Sequence, residues 1–105
     1  MIINKTPHDV NIVNEKNEVV KTLPKTEGQI RLSVKTEMTD PIDGIRTSYT
    51  VFGEPEGLPN FEEGVFYVVS QLVKSALPNR KDLLVPAEVV RDEKGQIVGC
   101  KSLGR

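Results

Sequence analysis

Hydrophobic and polar residues alternate along most of this chain in short stretches, the pattern of strands with one covered face. Residues 9–13 and 18–23 flank the polar tetrapeptide Asn14-Glu15-Lys16-Asn17, which predicts a hairpin. The cleanest alternation runs from Gln29 to Met38. It puts Ile30, Leu32, Val34 and Met38 on one face of a half-buried strand and Arg31, Ser33, Lys35 and Glu37 on the other. Asp40-Pro41-Ile42-Asp43-Gly44 then predicts a turn into a strand over 45–52, with Gly44 supplying a positive φ.

Residues 53–64 are rich in proline, glycine and acids and read as a loop. The continuous β-branched and aromatic run 64–69 predicts a central buried strand. Ser70 is placed to cap a helix on which Val69, Leu72, Val73, Ala76 and Leu77 recur at helical spacing, and Pro78 ends it. Residues 83–91 and 96–103 flank Asp92-Glu93-Lys94-Gly95 and predict a C-terminal hairpin. Pro86, which has no amide donor, is expected at an edge or a bulge. Together these elements predict an α+β fold: a mostly antiparallel β-sheet built from hairpins, with one short helix, in a single domain over residues 1–105. At 105 residues such a domain buries a modest share of its surface, so self-association is a natural way to cover more.

Charge changes the picture mainly by exclusion. A net charge of -1 gives no general attraction to a nucleic-acid polymer or to an anionic membrane. No segment approaches a membrane span, and the start Met1-Ile2-Ile3-Asn4-Lys5-Thr6-Pro7 lacks the apolar run of a signal peptide, so the expected location is cytoplasmic. Cys100 is the one cysteine and His8 the one histidine. A zinc site would therefore need mostly carboxylates, and a Cys-His nucleophile pair would need these two residues. Cys100 lies in the apolar run Ile97-Val98-Gly99-Cys100 and reads as a structural thiol. The acidic pairs Glu62-Glu63 and Asp92-Glu93 lie beside turns, where solvated charge is expected. Gly53-Glu54-Pro55-Glu56-Gly57 is acidic and unlike a phosphate-cradling loop. Binding, without a cofactor, is expected rather than catalysis.

The densest polar cluster is Asn79-Arg80-Lys81-Asp82, on a loop braced by Pro78 and Pro86. Arginine can pair bidentately with phosphate or stack on a base, and aspartate accepts hydrogen bonds from ribose hydroxyls or a base amine. Arg91-Asp92 at the hairpin shoulder and Arg31 on the polar strand face are further candidates. An ordinary solvated loop and hairpin would use the same residues.

Several segments resemble a family of small phage proteins. They are Asn4-Lys5-Thr6-Pro7-His8-Asp9-Val10, Ile42-Asp43-Gly44-Ile45 with Val51-Phe52-Gly53, Tyr67-Val68-Val69-Ser70 with the stretch from Ala76 to Pro86, and Val90 to Gly99. The pattern is similar to the first-described Thoeris anti-defence family, with Lys5 standing where that pattern expects an apolar residue. The resemblance implies a sponge that binds cyclic ADP-ribose isomers made by bacterial TIR-domain proteins, and in some relatives cyclic di- or trinucleotides, without degrading them. It also implies a homo-oligomer, a dimer or a hexamer, with ligand pockets at subunit junctions. On that implication Arg31, Arg80 and Arg91 are candidates for phosphate or stacking, Asn79 and Asp82 for base or ribose, and Phe66 or Tyr67 for stacking, with Asp92 a further ligand-binding candidate beside Arg91. Adjacent strand residues face opposite ways, so one of the two rings must face the core. Two rival readings remain: a phage accessory module binding a host protein through exposed hairpins, and a nucleotide-processing enzyme.

Overall fold

The computed structural model describes residues 1–28 and 30–105. It holds eight strands and one short helix: β1 (Ile2–Asn4), β2 (Val10–Val13), β3 (Val19–Leu23), β4 (Val34–Ile42), β5 (Ile45–Phe52), β6 (Phe66–Val68), α1 (Gln71–Ala76), β7 (Leu83–Arg91) and β8 (Ile97–Gly104). Three hairpins, β2–β3, β4–β5 and β7–β8, pair antiparallel and carry most of the registered residue pairs. Short parallel pairings join the pieces: β1 with β6, β6 with β7, and β2 with β8 through Ile12 and Cys100. The sheet is therefore antiparallel within hairpins and parallel at its seams.

Six strands run in the order β1-β6-β7-β8-β2-β3. Asn4 forms a parallel bridge with Lys25 just past β3, which brings the two ends of the sheet together into a nearly closed barrel. The Asn4 side chain is buried and fully used. Its Nδ2 donates to the carbonyls of His8 and Leu23, each at 2.8 Å, and its Oδ1 accepts from Thr6 N at 2.9 Å and Thr6 Oγ1 at 2.6 Å. An amide in this place supplies two donors and an acceptor that an apolar side chain would leave unmet. On the opposite side of the sheet Gly99 lets β2 and β8 meet closely, since a Cβ there would fall 2.8 Å from Val13 Cγ1 and 3.1 Å from the Asn11 carbonyl.

Strand alternation sorts the apolar residues onto two faces. Val10, Leu23, Val68, Leu84 and Cys100 form the inner cluster, drawn from five strands of the sheet and flanked by Ile12, Phe66 and Leu103. Tyr67, Val69, Leu83 and Val85 face outward and are covered by Val73 of α1 and by Ile30, Leu32 and Leu58 from loops. The helix is short and well capped: Ser70 Oγ accepts from Val73 N at 3.2 Å, as its position predicts.

Three expectations need correction. A strand at residues 2–4 was not expected, because three residues cannot display a period. The alternating strand begins at Val34; Ile30 and Leu32 of the same run pack on the outer cluster instead, and Gln29 lies outside the described residues. Pro86 lies in β7, an interior strand, paired with Leu103. It is tolerated because Asp82 and Leu84 turn their backbone groups toward β6, so residue 86 faces that flank beyond the end of β6, where no partner strand remains.

The β4–β5 hairpin stands apart as an arm. Its strong contacts are between its own two strands, and Gly44 takes the expected positive φ at its tip. The radius of gyration is 16.7 Å, against about 13 Å for a compact chain of this length, and the arm accounts for the elongation. Val34, Met38, Ile42, Ile45 and Tyr49 are exposed on it, with Ile42 and Ile45 paired across the tip at 64% and 67% exposure. The alternation predicts a half-buried face here, but Val34 and Met38 are exposed, because nothing among the described residues covers them.

Candidate functional site

The residues singled out from the sequence fall in three separate places. The first is the loop between α1 and β7. Arg80 forks onto Asp82, with Nε 2.8 Å from Oδ1 and Nη2 2.6 Å from Oδ2, and Nη2 also donates to the Pro59 carbonyl at 3.0 Å. Asp82 is 1% exposed, and its backbone carbonyl accepts from Tyr67 N in the β6–β7 ladder. The guanidinium holds the Asp82 carboxyl below the usual aspartate range, against the opposing pull of burial. The bond to Asp82 raises the Arg80 pKa in turn, against a smaller opposing effect of burial. The pair thus spends much of its hydrogen-bonding capacity on pinning the loop to the strand. Neighbouring Asn79 is exposed and makes no side-chain hydrogen bond among the described residues.

The second place is the far end of β7. Asp92 Oδ1 accepts from Lys94 N and Gln96 N, and Arg91 Nη1 donates to the Gly95 carbonyl at 2.8 Å, so both side chains brace the β7–β8 turn. Nine strand residues separate this turn from Asp82, a distance of about 25–30 Å at ordinary strand rise. Arg80–Asp82 and Arg91–Asp92 therefore do not share one pocket within a single copy.

The third place is a cleft of about 460 Å³ lined by Gly28, Arg31, Glu56 and Gly57. The Arg31 and Glu56 backbones pair by two 2.8 Å hydrogen bonds, which hold the β3–β4 and β5–β6 connections side by side. Gly28 and Gly57 both adopt positive φ, and this bends each connection away to leave the opening. Behind Gly28, Lys5 Nζ donates to the carbonyls of Glu27 and Gly28, each at 3.2 Å. Among the described residues the Arg31 guanidinium has no hydrogen-bond or ion-pair partner. Among the described residues the cleft sets the Arg31 guanidinium and the Glu56 carboxylate together, neither with a side-chain partner, and its size is within the range of small-molecule sites. Gly28, Glu56 and Gly57 were not singled out from the sequence. Two glycines next to charged residues in separate loops give no local signal that the loops meet.

The ambiguity between the two rings is settled by packing. Tyr67 is buried in the outer cluster, and Phe66 packs partly against the inner one with the Arg105 guanidinium 5.3 Å from its ring centroid. Cys100 is buried, and desolvation pushes its thiol pKa up, partly offset by a hydrogen bond to the Ala87 backbone, which suits packing rather than nucleophilic attack. Among the described residues no cluster of His, Cys, Asp and Glu is placed to hold a metal ion. Among the described residues no helix is long and apolar enough to cross a membrane. Comparison with protein-family models, curated proteins and solved structures finds no match for this chain.

Proposed function

We propose that this protein is a phage anti-defence sponge: it binds and sequesters a cyclic nucleotide immune signal, of the cyclic ADP-ribose class, without degrading it. The observation that carries the reading is the Arg31–Glu56 cleft. A nucleotide of this class presents a pyrophosphate, ribose hydroxyls and a base amine. An unpaired guanidinium suits the first, and an adjacent carboxylate accepts hydrogen bonds from the others. The sequence resemblance supports the same reading. Its working place is the cytoplasm of an infected bacterial cell.

Assembly is part of the proposal. An isolated two-stranded hairpin is marginal in water, and β4–β5 exposes apolar residues on both strands. A second copy covering the arm would bury them. It would also allow Arg31, Arg80 and Arg91, which stand apart in one copy, to meet across a junction. The same arm favours a second reading, in which it docks on a host protein.

The deciding experiment is a sponge assay. The protein is incubated with a panel of cyclic ADP-ribose isomers and cyclic oligonucleotides, filtered, heated and assayed for released ligand. Depletion followed by release of the intact molecule is expected. Depletion with an altered product would replace the reading with an enzyme, and no depletion across the panel would leave host-protein binding in its place.

A further inference from the structure

Arg31 and Glu56 meet as a hydrogen-bonded antiparallel pair outside the named strands. Each backbone N–H donates to the other's carbonyl at 2.8 Å. In such a pair the two side chains leave on the same side of the bridge, from Cα atoms about 5.5 Å apart. Gly28 and Gly57, which also line the cleft, have no side chains, so its side-chain chemistry is that of Arg31 and Glu56. Among the described residues neither makes an ion pair, with the other or with any other charge. The guanidinium is thus left for a ligand while a carboxylate stands beside it.

This is a poor place for a highly charged anion. The wall that carries Glu56 is acidic throughout: residues 53–64 include Glu54, Glu56, Glu62 and Glu63 and no lysine or arginine. On the other wall Lys5 Nζ is taken up by the carbonyls of Glu27 and Gly28. One guanidinium can fork onto one pair of phosphate oxygens. Negative charge beyond that faces the carboxylate instead of a second cation. The consequence differs between two kinds of phosphate. A phosphodiester or an internal pyrophosphate linkage carries one charge per phosphorus. A terminal phosphate monoester has a second acidic proton with a pKa of about 6, so at neutral pH it carries close to two charges.

We infer that Glu56 is a charge filter: it lets the Arg31 cleft hold nucleotides whose phosphates are all diesters and turns away those ending in a phosphate monoester, such as ADP and ATP. Discrimination comes from a repulsive charge set against the wrong ligand rather than from an added contact to the right one. With the cleft as the ligand site of a sponge, on which this role rests, the benefit is direct. A sponge open to every adenine nucleotide would be filled by the cell's own stock and would leave the immune signal free.

The test compares ADP, which ends in a monoester, with ADP-ribose and a panel of cyclic ADP-ribose isomers, in which both phosphates are diesters. Affinities are measured by titration calorimetry at low ionic strength for the native chain, Glu56→Gln and Arg31→Ala. Both side chains are exposed and the bridge is made by backbone, so both variants should melt as the native chain does. The native chain is expected to bind its best diester ligand at least tenfold more tightly than ADP. Glu56→Gln should gain at least threefold toward ADP while its affinity for the diester stays within twofold, and Arg31→Ala should lose the diester. Native binding of ADP as tight as that of the diester, no gain of ADP in Glu56→Gln, or an equal gain of both ligands would each overturn the filter and leave the sponge standing. Failure of the native chain to bind any diester on the panel would overturn the sponge reading and the filter with it.

Discussion

Arg80 grips the buried Asp82 carboxylate with two hydrogen bonds of 2.8 and 2.6 Å, across only two residues of chain. The pair ties the loop after α1 to the start of β7, where Tyr67 N meets the Asp82 carbonyl. Arg80→Ala would leave an almost fully buried carboxylate without its counter-charge. A loss of about 2–4 kcal/mol is expected in urea unfolding, by the usual cost of breaking such a pair. A loss below about 0.5 kcal/mol would mean that the pair is idle.

The same pair makes stability depend on pH with a definite sign. The folded Asp82 carboxyl titrates below its unfolded value of about 3.9, so its contribution is full above about pH 5 and drains away as pH falls through the folded value. In Arg80→Ala the strongest influence holding the carboxyl down is gone, so the folded carboxyl titrates higher than in the native protein. The stability gap between native protein and variant is therefore expected to narrow between about pH 5 and pH 3. A gap that stays constant across that range would contradict the assignment.

Asn4 closes the barrel with one side chain. Asn4→Ala would strip the Leu23 carbonyl and the Thr6 amide of the partner Asn4 supplies, while the His8 carbonyl keeps Thr6 Oγ1 as a donor. Each buried group left unmet costs about 1–3 kcal/mol, so a loss of at least about 2 kcal/mol is expected, read as a lower urea midpoint. Asn4→Asp keeps the acceptor but turns a buried carboxylate toward the Leu23 and His8 carbonyl oxygens, and should destabilise at least as much as Asn4→Ala.

Arg31 is held through its backbone, which leaves its side chain free for a ligand. Arg31→Ala should therefore melt as the native protein does yet retain at least tenfold less cyclic nucleotide in the sponge assay. Equal retention would remove the cleft from the binding reading.

The arm predicts association. Ile42→Ser with Ile45→Ser removes the two apolar groups at its tip without touching the barrel core. Light scattering on a sizing column is expected to show the native chain as an oligomer and the double variant shifted toward the monomer. A monomeric native chain would leave the arm free for another protein.

Much of this architecture was legible in the sequence because hairpins and caps are local. Asn14 and Asp92 each accept two backbone amides within four residues, and Ser70 caps three residues on, so short windows held the whole cause. The parallel seams were not legible. Ile12 meets Cys100, and Ile2 meets Phe66, through register set by barrel closure rather than by any neighbouring pattern. The site followed the same divide. Arg80 and Asp82 were identifiable as a polar cluster, but nothing nearby said that they would hold each other. The Arg31 cleft needed Glu56 from a different loop. The arm shows the converse case: alternation marked an apolar face at Val34 and Met38, but could not say that the face would stand exposed.

The seams also set a timetable for synthesis. β1 is translated first, yet its partner β6 does not exist until residues 66–68 have been made, and Ile12 waits longer still for Cys100. The hairpins can form as they leave the ribosome, since their strands are adjacent and such pairs close in microseconds. The barrel cannot. β1 stays unpaired until β6 has been made, and closure waits further for β8, a delay typical of folds dominated by distant pairings.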